Sequence, residues 1–280
     1  NFASKLGGVF TKVGKGALAL GGTLTTAATA IGGLAINTSK DVDQAMNSFI
    51  VQTGIAKNES GEWQKALEDI YKNNYGESFE DIANSMALAS QELYEFDPSQ
   101  IKAVTENALA LRDAFGVEVN ESIRATKALM TQFGISADEA YNLMAQGAQA
   151  GLDFSGELVD NINEYSVQFG KLGLSAEDMF NIFQSGADAG AWNLDKIGDA
   201  VKEFSIRAID GSKTTVEGFT KLGLNADTMA KKFAAGGDTA KEAFYQTIDA
   251  IKAMDDPVQQ SIVGVDLFGT MWEDLGPEVV

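Results

Sequence analysis

The strongest constraint on the fold is a gapless internal repeat whose grammar is that of a helical hairpin. FGISADEAYNLMAQGAQAGLDFSGELVDNINEYS at 133–166 aligns with LGLSAEDMFNIFQSGADAGAWNLDKIGDAVKEFS at 172–205, an offset of 39 residues. A shorter echo, LGLNADTMAKKFAAGG, begins at Leu222, and FGVEVNESIRATKALM at 115–130 shares the opening with a different spacer. Each copy opens on a glycine, Gly134, Gly173 or Gly223, where the missing side chain allows a left-handed helix stop. An aliphatic follows at Ile135, Leu174 or Leu224 and can cover the turn just completed. Ser136, Ser175 or Asn225 then offers an N-cap oxygen, with acids such as Asp138, Glu139, Glu177 and Asp178 in the first turn, where the helix dipole favours them. Two well-matched copies are fewer than the three or so that an open solenoid needs, so the pattern predicts a compact helical domain built by duplication.

The same punctuation extends along the chain. Only three prolines occur, at 98, 257 and 277, and alanine, leucine, glutamate and lysine fill the intervals between glycines. Val42, Ala45, Met46, Phe49 and Ile50 fall at helical spacing; so do Trp63, Ala66, Leu67, Ile70 and Tyr71, and then Phe79, Ile82, Ala83, Met86 and Ala87. No alternating β-branched run is long enough for a sheet. The expected fold is all-α, with short packed helices and helical hairpins preceded by an apolar small-residue helix. The expected divisions are a basic head at 1–15, that apolar helix at 16–39, a helical subdomain at 40–130 and a repeat subdomain at 131–280.

The run Gly16–Ser39 carries no charge. As a helix its 24 residues would span about 36 Å, enough for a hydrocarbon core of about 30 Å. Five glycines and six Thr or Ser residues dilute it, and its large aliphatics are Leu18, Leu20, Leu24, Ile31, Leu34 and Ile36. Small residues at Gly21, Thr25, Ala28, Gly32 and Ala35 recur three or four apart, a spacing that lets helices approach closely in lipid or in a protein tube. Gly16 and the residues after it therefore fit either a membrane-inserting segment or a buried packing helix of an oligomer. A secretory signal is a third reading, because Lys5, Lys12 and Lys15 precede the run, although the chain opens at Asn1 and reads as an internal fragment.

Charge and residue types narrow the chemistry. Beyond the three lysines of the head, 18 basic against 40 acidic residues leave −22. That field repels phosphate backbones, so sequence-independent nucleic-acid binding by residues 40–280 is not expected, and no sequence-specific nucleic-acid binding is expected either. Cysteine and histidine are both absent, which removes disulfides, thiolates, imidazole bases and zinc sites built on sulfur or nitrogen. No catalytic, cofactor or metal constellation stands out. GGVFTKVGKGA at 7–17 fails the phosphate-loop pattern at Val9 and Gly16. NESGE at 58–62 and DGSKTTVE at 210–217 lack the alternating acids of a calcium loop and read as turns. Asp255 with Asp256, or Glu118 with Glu121, could be imagined as a hydrolase dyad, but nothing in the sequence fixes their separation. Trp63, Trp192 and Trp272 are spaced too widely for a stacking platform and fit core or interface anchoring.

From Asp41 onward, D-x-x-x-A-M-x-x-F with Thr53 and Gly54, then YGESFEDIANSMA, ALRDAFGVEVNESIRATKALMTQFGISADEA, the LGLSAEDMFNIFQSGADAG unit and the closing DLFGTMWEDLGPE, the ordered series resembles the core region of phage tail tape measure proteins. The resemblance covers roughly residues 40–280. It implies a non-enzymatic virion protein of a phage tail or tailocin that occupies the tail tube lumen, sets tail length, and leaves ahead of the DNA. It also implies tail tube and baseplate or tail-tip proteins as partners, self-association as a trimer or hexamer, passage through the host cytoplasm during assembly, and contact of the apolar run with the host membrane on infection. No cofactor and no catalytic residue carries over. Two other classes remain, a non-phage helical scaffold or membrane-anchored adaptor, and a carboxylate-dependent cell-wall hydrolase. A continuous helix of 280 residues would reach about 420 Å. Glycine interrupts this chain roughly every 15 to 25 residues, so residues 40–280 are expected to fold back into short helices, with any measuring rod lying elsewhere.

Overall fold

The computed structural model describes residues 38–275. Among them are fourteen α-helices, one 3-10 turn at Lys57–Glu59, and no strand. None of these helices is longer than the 18 residues of Pro98–Phe115, about 27 Å, so no unbroken rod runs through the described chain. The contacts divide it into two compact units, the first of residues 38–130 with 136–146 and the second of residues 131–135 with 147–275.

In the first unit, α1 (Thr38–Thr53), α2 (Gly61–Lys72), α3 (Phe79–Glu92), α4 (Pro98–Phe115) and α5 (Val119–Phe133) are followed by α6 (Ala137–Gln149). The starts are dictated locally. Ser78 caps α3 by accepting from the Asp81 amide, and Asp97 forms a capping box with Gln100 while Pro98 occupies the first turn of α4, where no amide is needed. Helix α1 buries Val42, Ala45, Met46 and Phe49 and packs against α3, in which Ile82, Ala83, Met86, Ala87 and Ala89 are fully covered. Alanine at three of those five positions lets neighbouring helices come close to α3. Phe49 meets the Trp63 ring at 5.2 Å and Tyr71 stacks on Phe79 at 4.2 Å, so α2 is held by aromatic contacts on both sides. Arg112 of α4 donates to both oxygens of Asp81, at 2.8 and 3.1 Å, in the first turn of α3. Tyr141 of α6 is enclosed, and burial pushes its hydroxyl up to about 12.

The second unit continues with α7 (Leu158–Lys171), α8 (Ala176–Asp188), α9 (Leu194–Asp210), α10 (Lys213–Lys221), α11 (Ala226–Ala235), α12 (Gly237–Lys252), α13 (Pro257–Phe268) and α14 (Met271–Leu275). Helix α9 packs against α7, α8, α10, α11, α13 and α14. Its fully buried Phe204 is met edge-on by Phe233 of α11 and Phe244 of α12, both at 5.3 Å, and stacks on Phe268 of α13 at 4.8 Å. Two glycines inside helices serve as seats for rings. A methyl group on Gly198 of α9 would overlap the ring of Tyr165 of α7, and one on Gly264 of α13 would overlap the indole of Trp272 of α14.

Phe204→Ala is expected to cost about 3–5 kcal/mol in urea unfolding, because it leaves three rings without their shared partner. On the same helix, the exposed Ile206 and Ile209 should each tolerate alanine within about 0.5 kcal/mol.

Candidate interaction site

Gly134, Gly173 and Gly223, with Ser136, Ser175 and Asn225, lie at junctions between consecutive helices. Gly134 and Gly173 both have φ of 70° and Gly223 has 71°. The Ser136 hydroxyl accepts from the Glu139 amide at 3.2 Å, and the Ser136 amide donates to the Glu139 carboxylate at 2.8 Å. Ser175 forms the same reciprocal pair with Asp178, at 3.1 and 2.8 Å. The Asn225 side chain accepts from the Thr228 amide at 2.9 Å. The helices after the first two caps, α6 and α8, start and end 39 residues apart, matching the sequence offset.

The three glycines differ in what surrounds them. Space is open around Gly134 and Gly223, so only their backbone conformation asks for glycine. At Gly173 the backbone of Gly237, at the start of α12, lies so close that any side chain would overlap the Gly237 carbonyl oxygen. This junction is tied a second time. Asp178 completes the α8 cap, pairs with the Lys241 ammonium of α12, and accepts from the Tyr245 hydroxyl at 3.2 Å. Burial raises the Asp178 carboxyl, but Lys241 and the Ser175 amide outweigh it and hold the group below the usual carboxylate range. Burial, with Asp178 beside it, pushes the Tyr245 hydroxyl well up.

A second polar cluster joins α7 and α9. The Tyr165 hydroxyl lies 2.7 Å from Asp195 and 3.0 Å from Asp199, and it can donate to one of them at a time. Burial and then these two carboxylates push the phenol far above its ordinary range. Lys202 sits 5.6 Å from the centre of the same ring, 3.4 Å from Glu164 and 3.7 Å from Asp199. The paired charges thus hold two helices together.

Among the described residues no group of three or more acids is placed to hold a metal ion. Asp256 caps α13 through the amides of Val258 and Gln259, and Glu121 pairs with Arg124 at 3.3 Å on its own helix. Asp210 accepts from the Ser212 amide, and Ser212 caps α10, so DGSKTTVE is a turn and a helix start. NESGE crosses from the 3-10 turn into α2. The three tryptophans take different places: Trp63 lies against Phe49, Trp272 is 2% exposed on Gly264, and Trp192 is 84% exposed in the α8–α9 loop. Gly16, Leu18, Leu20, Gly21, Leu24, Ala28, Ile31, Gly32, Leu34 and Ile36 lie outside the described residues. Among those that are described, no helix is long and apolar enough to cross a membrane.

The ring seats at Gly198 and Gly264 and the carboxylate pair at Tyr165 were not found by sequence reasoning. Gly198 and Gly264 each stand mid-helix where stop glycines are not expected, which was the available signal.

The model of the family described as phage-related minor tail protein matches residues 71–269. The chain belongs to this family. It is thereby a phage tail protein of a structural family, located in the virion. Over 65 residues the chain is 38% identical to a probable tape measure protein of Streptomyces phage phiC31, a stretch that makes up 23% of this chain and 9% of that protein. No solved structure matches it.

Two expectations follow for this phage tail protein. Gly134→Ala and Gly223→Ala should each destabilise by about 1–2 kcal/mol from backbone strain, and Gly173→Ala by about 1–3 kcal/mol more, in the same denaturant titration. A carboxyl held low when folded stabilises above its unfolded value near 4 and loses that contribution as pH falls through the folded value. Asp178→Asn should therefore lower the thermal midpoint at pH 7, and the two proteins should converge as pH falls through the lowered Asp178 value, as read by circular dichroism.

Proposed function

We propose that this chain is a folded segment of a tail tape measure protein, lying in the lumen of the tail tube, taking part in fixing tail length and accompanying genome delivery. The observation that carries the reading is the family membership over residues 71–269, together with the tape measure relative and the ordered series of motifs from Asp41 to the closing DLFGTMWEDLGPE. Its partners on this reading are the tail tube protein, baseplate or tail-tip proteins, and further copies of itself, as a trimer or hexamer. The uncharged run Gly16–Ser39 supplies a candidate element for contact with the host membrane on infection.

The described helices bear on how such a segment measures. Helices of 5 to 18 residues, folded against one another, span far less tail per residue than an unbroken helix does. On this reading residues 38–275 add little to the measured length themselves, and any extended measuring rod of the parent protein lies outside them.

Cryo-electron microscopy of intact tails is the direct test, with this chain's density expected inside the tube; tails whose lumen lacks it would remove the proposal. In-frame deletion of residues 38–275 from the parent protein should shorten tails by far less than the roughly 350 Å that these residues would span as one helix. A peptide of residues 1–40 that neither binds nor permeabilises vesicles would remove the membrane role alone.

A further inference from the structure

The most exposed large aromatic residue of the second unit, Trp192 at 84%, stands in the loop between the two helices of its repeat copy. In the other copy the corresponding loop, between α6 and α7, exposes Phe154 at 49%. The alignment pairs Asp153 with Trp192 and Phe154 with Asn193, so the aromatic residues fall one position apart in equivalent loops. Single exposed apolar side chains are common on protein surfaces, and here each repeat copy carries one large aromatic in the loop that joins its two helices. Tyr94, 77% exposed in the α3–α4 loop of the first unit, has the same setting in a part of the chain outside the long repeat.

In the sequence each aromatic residue has acids nearby: Asp153 and Glu157 beside Phe154, Asp188 and Asp195 beside Trp192, and Glu92, Glu95 and Asp97 beside Tyr94. The lysine nearest Trp192 in sequence, Lys196, is engaged by Asp274 at 2.8 Å. The loops are also held in place. Asp153 accepts from the Leu158 amide at 3.1 Å, and Asn193, next to Trp192, caps α9 by accepting from the Lys196 amide at 3.2 Å. A rigidly carried aromatic ring loses little freedom on docking, which is the profile of an interface anchor.

We propose that Phe154 and Trp192 are anchors that insert into apolar pockets rimmed by lysine or arginine on a partner protein of the tail. The acids exclude the other surfaces that take up aromatic side chains. Nucleic acid would offer bases for stacking but brings phosphates against Asp188 and Asp195, and an anionic lipid surface meets the same repulsion. A basic rim converts that field into attraction and speeds the encounter.

The proposal rests on the chain being a tail component, and the test separates the two. Purified tails are searched by mass spectrometry for peptides of this chain, then footprinted with hydroxyl radicals beside the free protein. Trp192 and Phe154 should oxidise readily in the free protein, and in tails Trp192 should fall to the level of the buried Trp272. A photo-crosslinking phenylalanine at position 192 should capture a peptide of another tail protein that carries Lys or Arg next to the linked residue. Tails that contain the chain with Trp192 still fully labelled overturn the inference, as do crosslinks to a second copy of the chain or to a peptide without basic residues. Tails devoid of the chain overturn the reading beneath it. Trp192→Ser should keep the helical circular dichroism of the parent while losing incorporation into tails, and unchanged incorporation also overturns the proposal.

Discussion

A phenyl ring at position 204 can touch three other rings because α9 packs against six other helices of its unit. Even so, α9 is amphipathic, its covered residues lying on one side of the helix and Ile206 and Ile209 exposed on the other. Leu194, Ile197, Ala200, Val201, Phe204 and Ala208 are buried, while Asp195, Asp199 and Lys202 reach Tyr165 along one border. The aromatic group around Phe204 is therefore the point at which α11, α12 and α13 acquire fixed positions. Their own short helices, of 10 to 16 residues, would be marginal in isolation.

Close packing around that centre depends on missing side chains as much as on large ones. Tyr165 lies on α9 where Gly198 removes the Cβ, and Trp272 lies on α13 where Gly264 does the same, so each ring contacts helix backbone directly. Each mid-helix glycine costs about 1 kcal/mol of helix propensity relative to alanine, and the area covered by a buried aromatic ring offsets it. Gly173 takes the principle further, because backbone meets backbone at Gly237 and the Asp178–Lys241 pair closes over the same junction. One short stretch thus ends α7, caps α8 and positions α12.

These facts explain which parts of the architecture could be read in advance. Helices, their stops and their caps are encoded over three to eight residues, so Gly134, Ser136, Gly173, Ser175, Gly223 and Asn225 were visible as junctions, and the stripe Val42, Ala45, Met46 and Phe49 was visible as a buried face. Ile50, on the edge of that stripe, is only partly covered, because periodicity gives the direction of a face and not its width. What a glycine faces is a property of distant segments. Nothing within a few residues of Gly198 announces Tyr165, 33 positions earlier, and nothing near Gly173 announces Gly237. The exposure of Trp192 was equally hidden, since tryptophan is more often covered and only the finished loop shows which way it is presented.

The acidity of the chain must then be judged against what holds it together. Most of its ion pairs are partly open to solvent, where each contributes about 0–1 kcal/mol and loses strength with salt. They cannot compensate a net −22 beyond residue 15, so the apolar groups around α3 and around Phe204 must carry the fold against self-repulsion. That division of labour leaves the surface charge free for recognition. A chain whose stability resides in rings and alanine faces can keep a strongly acidic exterior, with exposed aromatic residues set into it, at little risk to its core.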